Sequence, residues 1–306
     1  MLNFKISVPF LSFVREQIPF REKLIGNQCA EAIMFNAKDL FGSHWEMAWE
    51  NIAEAASHFS PSNVTFHFPV DNANYCEDRG ILDKLMESYR RACDLGLAGI
   101  VVHSNCIHNI GDWSEISLPD LRKRVADTLY LVKNSVENSQ DTWLSLENMI
   151  IMDNFGKEID PLFLYVDDFQ VLDESIGVVL DLCHFFYTVT VSRMLLDGRL
   201  DKKHYPSVCS CSYDDIKKFK CVRHCHFAAF RGIAMPFTEQ YCSEGMLPEE
   251  GDIDGNLYYE ALSYLNENFS GHVVLEIQES DYAIKSKSRF LIKKIKELFQ
   301  SDSDMH

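Results

Sequence analysis

Long apolar runs are missing from this chain. No stretch approaches the roughly 18 apolar residues a spanning helix needs, so the sequence does not read as a helical membrane protein. Positive charge is also short: 29 Lys and Arg stand against 46 Asp and Glu, a formal charge of −17. That balance argues against a broad grip on nucleic acid, which requires neutralised phosphates, and against an anionic membrane surface. Glycine (14) and proline (9) are too few for a collagen-like or low-complexity chain. The opening stretch MLNFKISVPFLSFVREQ has no lysine-rich start and no A-x-A-like end, and Pro9 and Arg15 interrupt it. It is not read as a signal peptide. The 10 cysteines are therefore expected to be free thiols in a cytoplasmic protein.

What is present is an alternation. Eight β-rich apolar segments recur: 4–9 (FKISVP), 30–35 (AEAIMF), 63–68 (NVTFHF), 99–103 (GIVVH), 143–147 (WLSLE), 177–181 (GVVLD), 221–227 (CVRHCHF) and 272–277 (HVVLEI). Near-continuous apolar runs suit strands buried on both faces of a parallel sheet. Between them lie stretches with one apolar face at helical spacing: 45–58, 81–95, 118–136, 257–269 and 284–299. No Gly/Ser linker or shift of composition divides the 306 residues. The expectation is an α/β fold, one (β/α)8 TIM barrel over residues 1–300 with a polar tail at 301–306, its active-site groups at the C-terminal ends of the strands. The long gap from Asp181 to Cys221 reads as an elaborated loop over the barrel mouth.

The polar residues fall at the strand ends. His67 ends VTFH, His103 ends GIVVH, Glu147 ends WLSLE, Asp181 ends GVVLD, His226 lies in VRHCHF and Glu276 ends HVVLE. A carboxylate closing a run such as Val-Val-Leu is costly to bury unless it is paired or bound to metal. Three histidines and three carboxylates gathered at one rim make a site for one or two divalent ions.

These fragments resemble the xylose-isomerase-like TIM barrels, which include sugar isomerases, sugar epimerases and endonuclease IV. The resemblance rests on LENM at 146–149, VLDLCHFF at 179–186, VRHCHF at 222–227 and VLEIQ at 274–278, in that order, with EGDID at 250–254 similar to the family's loop after strand seven. It implies one metal (Mn, Zn, Mg or Co) held by Glu147, Asp181, His226 and Glu276, with His184 against substrate. It implies proton transfer through an enediolate by Glu147 or Glu276, on a sugar or sugar phosphate, in a chain able to form a homodimer. His67 and His103 resemble the two extra metal histidines of endonuclease IV, so a mono- or dinuclear phosphoesterase is the alternative. That enzyme's third zinc needs a D-x-H element; residues 238–252 (TEQYCSEGMLPEEGD) hold no histidine, and Met246 stands near the expected place.

Other residues invite weaker readings. Arg231 and Lys38 follow strand ends and could hold a phosphate or carboxylate. Asn148, next to Glu147, is a candidate to orient a ligand or touch substrate. His224 is expected in the core. Cys209, Cys211, Cys221 and Cys225 have irregular spacing for a structural zinc, and Cys183 is expected to pack rather than react. Tyr75, His108 and Trp113 are loop groups that could stack on a sugar.

Overall fold

The computed structural model describes residues 2–20, 28–112, 115–137, 141–206 and 208–301. Trp113 and all of the expected tail except Ser301 lie outside the described residues. Eight parallel strands close a barrel: β1 (Lys5–Leu11), β2 (Cys29–Ile33), β3 (Val64–His67), β4 (Gly99–Val102), β5 (Trp143–Glu147), β6 (Ile176–Asp181), β7 (Val222–Phe227) and β8 (His272–Leu275). Each pairs with its sequence neighbours, and β1 pairs with β8 to complete the ring. All eight segments read from the sequence are these strands, within a residue or two at their ends.

Among the described residues six α-helices surround the barrel: α1 (Ser43–Phe59), α2 (Arg79–Leu95), α3 (Leu118–Lys133), α4 (Leu182–Leu196), α5 (Gly255–Asn268) and α6 (Ser286–Ser301). Among the described residues no α-helix joins β1 to β2 or β5 to β6, where single 3₁₀ turns stand instead. Short side chains start three of the helices, Asp181 at α4 among them. Asp78 accepts the amides of Gly80 and Ile81 at α2, and Asp254 accepts that of Asn256 at α5.

The reading of 181–221 as one irregular loop needs correction. It opens with α4, which the sequence hides for two reasons. The helix is buried nearly all round, so it lacks an amphipathic stripe. Its Thr188-Val189-Thr190-Val191 run also has the composition of a strand. Asp181 starts it at once after β6, its Oδ1 accepting the His184 amide at 2.6 Å. The remainder follows α4 and so departs from the end of the barrel opposite the mouth. It then folds back along the outside, where the Tyr213 hydroxyl meets that of Thr190 at 3.1 Å.

The strands are not uniformly apolar on both faces. One alternate set (Ile6, Val8, Ala30, Phe66, Ile100, Leu144, Leu146, Leu180, Phe227, Val273) joins the hydrophobic core against the helices. The other set looks inward and includes Ser7, Glu31, Thr65, Ser145 and His224, all fully buried. Near the floor a Cβ on Gly99 would lie 2.0 Å from the Trp143 indole. Glycine there admits that ring, which sits 5.1 Å from the His224 imidazole.

Candidate metal centre

The inward column ends, at the C-terminal rim, in a cluster of histidines and carboxylates. Glu147 lies at its middle. Its Oε2 is 3.2 Å from His67 Nε2 and 3.2 Å from His103 Nε2. Its Oε1 is 3.3 Å from His226 Nδ1 and 3.4 Å from His184 Nδ1. His226 Nδ1 is also 3.4 Å from Glu276 Oε2 and 3.7 Å from Asp181 Oδ2. Asp181 and His226 are direct register partners on β6 and β7, and strand ends alone explain most of the convergence.

The spacing fits a cation. Bonds of about 2.0–2.1 Å at tetrahedral angles put two ligand atoms about 3.3 Å apart. Two triads about one point, His67–Glu147–His226 and Asp181–His226–Glu276, and a third of Glu147, Asp181 and His184, have their ligand atoms within 4.8 Å of one another. Neither ring nitrogen of buried His226 has a hydrogen bond among the described residues, an unusual cost for a core imidazole.

Protein acceptors assign the tautomers. His67 Nδ1 donates to the Phe68 carbonyl at 2.9 Å, and His184 Nδ1 donates to the Asn148 carbonyl at 2.9 Å. A carbonyl can only accept, so the Nε2 of each ring keeps its lone pair for an ion or a substrate. Tyr75 steadies the loop of His103 by donating to the His103 carbonyl at 2.9 Å. Asn148 is fully buried; its side chain donates to the Asp181 carbonyl at 3.0 Å and accepts the Asp181 amide at 2.7 Å. It holds β5 and β6 in register at the site.

Without an ion the charges are strained. Burial pushes Glu276 up to about 7, with Glu147 and Asp181 adding to it against the pull of His226. Burial likewise lifts Asp181 to about 6 in spite of His184. For Glu147 burial acts upward but is outweighed by His226 and His103, which hold it well below the usual range. Burial opposes charging His184 and His226 too, and is overcome by Asp181 and Glu244 at the first and by Glu147 and Glu276 at the second.

A cavity of about 430 Å³ opens beside the cluster. Asp181, Glu244 and Glu276 line it together with Phe10, Ile33, Phe35 and Tyr282; no Lys or Arg is among its described lining residues. Arg231 is exposed, with its guanidinium 3.6 Å from the Met246 sulfur, and Lys38 is exposed in a turn after β2. Neither lines the cavity.

Two carboxylates escaped the sequence reading. Glu244 sits in a short hairpin (Ala229–Arg231 with Ser243–Met246) and brings Oε2 to 3.6 Å from His184 Nε2. The D-x-H element is indeed absent there, but a carboxylate stands at its place. Glu31 lies below the rim on β2, with Oε2 2.7 Å from His224 Nε2 and Oε1 3.1 Å from His226 Nε2. A lone acid inside the apolar run AEAIMF was its signal. All ten cysteines are free. Among the described residues no ligand cluster includes Cys209, Cys211, Cys221 or Cys225. Cys183 is buried in the first turn of α4, and burial holds its thiol well above the ordinary range.

Neither a protein-family model nor a curated protein sequence matches this chain. Solved structures do. The chain superposes with a TM-score of 0.62 on a D-tagatose 3-epimerase-like protein at 14% identity, covering 98% of this chain and 100% of that one. The TM-score is 0.60 with mannonate dehydratase from Streptococcus suis serotype 2, at 12% identity over 97% and 93% of the two chains. It is 0.59 with the IolI protein carrying a bound zinc atom, at 14% identity over 96% of each. These neighbours are xylose-isomerase-like TIM barrels, and at such identities the likeness establishes the fold. No described helix is long and apolar enough to cross a membrane.

Proposed function

We propose that this chain is a divalent-metal-dependent isomerase or epimerase acting on a neutral sugar. One observation carries the reading: Asp181, His226 and Glu276 stand at ligand spacing, with Glu147 Oε1 3.3 Å from the same His226 nitrogen, at the ends of four neighbouring strands beside a small cavity. Those four residues would hold the ion. Such an ion supplies Lewis acidity to a substrate carbonyl and its neighbouring hydroxyl.

The chain's own groups account for the proton. The Glu276 side chain is 26% exposed and lines the cavity. A carboxylate that reaches the cavity can take a proton from a substrate held beside it. Glu276 therefore removes the proton next to the substrate carbonyl and gives it back, through an enediolate. Glu147 is 1% exposed and hemmed in by histidines, so it serves as a ligand and not as a mobile base. His184, its Nε2 3.6 Å from the cavity-lining Glu244, holds a substrate oxygen. A single base returns the proton to the face it left, which isomerises; inversion of a carbon needs a second base, and Glu244 is the other partly exposed carboxylate in that lining. Among the described residues that line the cavity none is Lys or Arg, which favours an uncharged sugar over a sugar phosphate.

The test is exchange. Wild-type protein loaded with Mn²⁺, Co²⁺ or Zn²⁺ is incubated with ketoses and aldoses in D2O, and deuterium next to the carbonyl is read by NMR. Glu276→Gln is expected to lose about 10²–10⁴-fold in exchange rate. Full activity in Glu276→Gln would refute the mechanism.

A second reading has its own observation. The two oxygens of Glu147 face different histidine pairs, His67 with His103 and His184 with His226. A carboxylate so shared suits a bridge between two ions, and two ions suit a phosphoesterase of the endonuclease IV kind. The charge of −17 weighs against a nucleic-acid substrate. Two or more zinc ions per chain, with cleavage of abasic DNA, would favour this reading; one ion per chain with deuterium exchange favours the first.

A further inference from the structure

Beneath the rim lies a buried polar group that the proposed reaction does not use. Glu31 is fully buried in the barrel interior, a costly place for a carboxylate unless donors surround it. Its Oε2 accepts from the Thr65 hydroxyl at 2.8 Å and faces His224 Nε2 at 2.7 Å. Its Oε1 has no hydrogen bond among the described residues and lies 3.1 Å from His226 Nε2, at ion-pair distance but out of hydrogen-bond alignment. β2 and β7 are not adjacent in the ring, so these contacts reach across the barrel.

We infer that Glu31 is a positioning residue that keeps the proton of His226 on Nε2 and so aims the Nδ1 lone pair at the metal centre. The chemistry is that of an outer acceptor on a metal-bound imidazole, which fixes the tautomer, orients the ring and makes it a better donor. The same device serves His67 and His184 through backbone carbonyls. For His226 the partner is an anion at 3.1 Å, which a small turn of the ring would align as its acceptor, and it acts on the ring that stands nearest to Glu147, Asp181 and Glu276 together. The inference rests on the metal centre proposed above but not on the reaction assigned to it.

The substitution Glu31→Gln separates the roles. The amide oxygen stays with its two donors, Thr65 and His224, which leaves the NH2 group against His226 Nε2. That group has no lone pair to offer. His226 must then move its proton to Nδ1, facing the ion, or turn its ring. Metal affinity, read by chelator competition, is expected to fall about 10–100-fold, with an altered visible spectrum of the Co²⁺-loaded protein. Thr65→Val removes a donor and leaves the carboxylate in place; its Co²⁺ spectrum is expected to match wild type. A measurement on Zn²⁺-loaded wild type guards against misfolding of the variants: long-range ¹H–¹⁵N correlation is expected to show His226 protonated at Nε2. Equal metal affinity in wild type and Glu31→Gln, or zinc bound through Nε2 of His226, overturns the inference alone. A wild-type chain that takes up no divalent ion overturns the metal centre and the inference with it.

Discussion

On β5, Leu144 and Leu146 look outward into the core against the helices, while Ser145 and Glu147 look toward the barrel axis. The same alternation holds on β7, where Cys225 and Phe227 pack outward and His224 and His226 point in. Both faces are buried, yet they answer to different physics. The outer face is non-directional, and its stability scales with apolar area and volume. The inner face is directional: each nitrogen and oxygen needs a named partner, and several lack one. The lesson is that burial here does not mean one kind of core. The outer layer holds the barrel closed, and the inner column concentrates charge where a cation can relieve it.

The sharpest break of this contrast is Glu147→Gln. It removes a negative charge from among four imidazoles with little change of volume. Metal affinity is expected to drop by more than about 100-fold, and turnover with it. Retained stoichiometric metal in this variant, measured on dialysed protein by elemental analysis, would contradict the central place given to Glu147.

The converse is Leu144→Ala on the outer face of the same strand. Deleting this fully buried side chain is expected to cost about 2–5 kcal/mol in urea unfolding. Metal stoichiometry should not change. If the two variants exchanged their effects, the division between faces would be wrong.

A smaller effect comes from pH. In the metal-free protein Asp181 is raised to about 6 and Glu276 to about 7, and His184 and His226 are raised as well. The folded state then binds more protons than the unfolded chain above the ordinary carboxylate range. Stability contributed by these groups is present at low pH and lost as pH rises through their folded values. The lowered values of Glu31 and Glu147 act only below the ordinary carboxylate range and are constant in this window. His103, His224 and His272 act the other way, since burial lowers them while their unfolded counterparts lose a proton near 6.5. The Tm of the metal-free protein is therefore expected to fall above about pH 6.5, up to pH 8. The gain in Tm on adding metal is expected to grow over that window, because bound metal displaces those protons. A metal-induced gain that shrinks with rising pH would remove the site from the titrating groups.

Much of the architecture was legible in the chain. Short apolar runs between amphipathic stretches marked all eight strands, and five of the six helices showed a one-sided apolar stripe. The sixth, α4, did not, because a helix buried on every side has no polar face to betray its period. The rim histidines and carboxylates were visible as polar endings on apolar strands. Glu31 was harder to see, since it lies in mid-strand and its partners are 193 and 195 residues away in sequence. Glu244 was hidden in a hairpin whose pairing depends on the loop's own closure. Asn148 was read as orienting a ligand or touching substrate, and in the fold its amide is tied to the backbone of Asp181.

By itself the sequence determined the alternation of strand and helix and the residue types that end each strand, because periodicity and local composition are properties of neighbours along the chain. The tertiary structure decided which nitrogen of each imidazole is tied and which is left open, and which carboxylate stands in the middle. Those are matters of ångströms between residues far apart in sequence, set only when the ring of strands closes and the inner side chains meet across it.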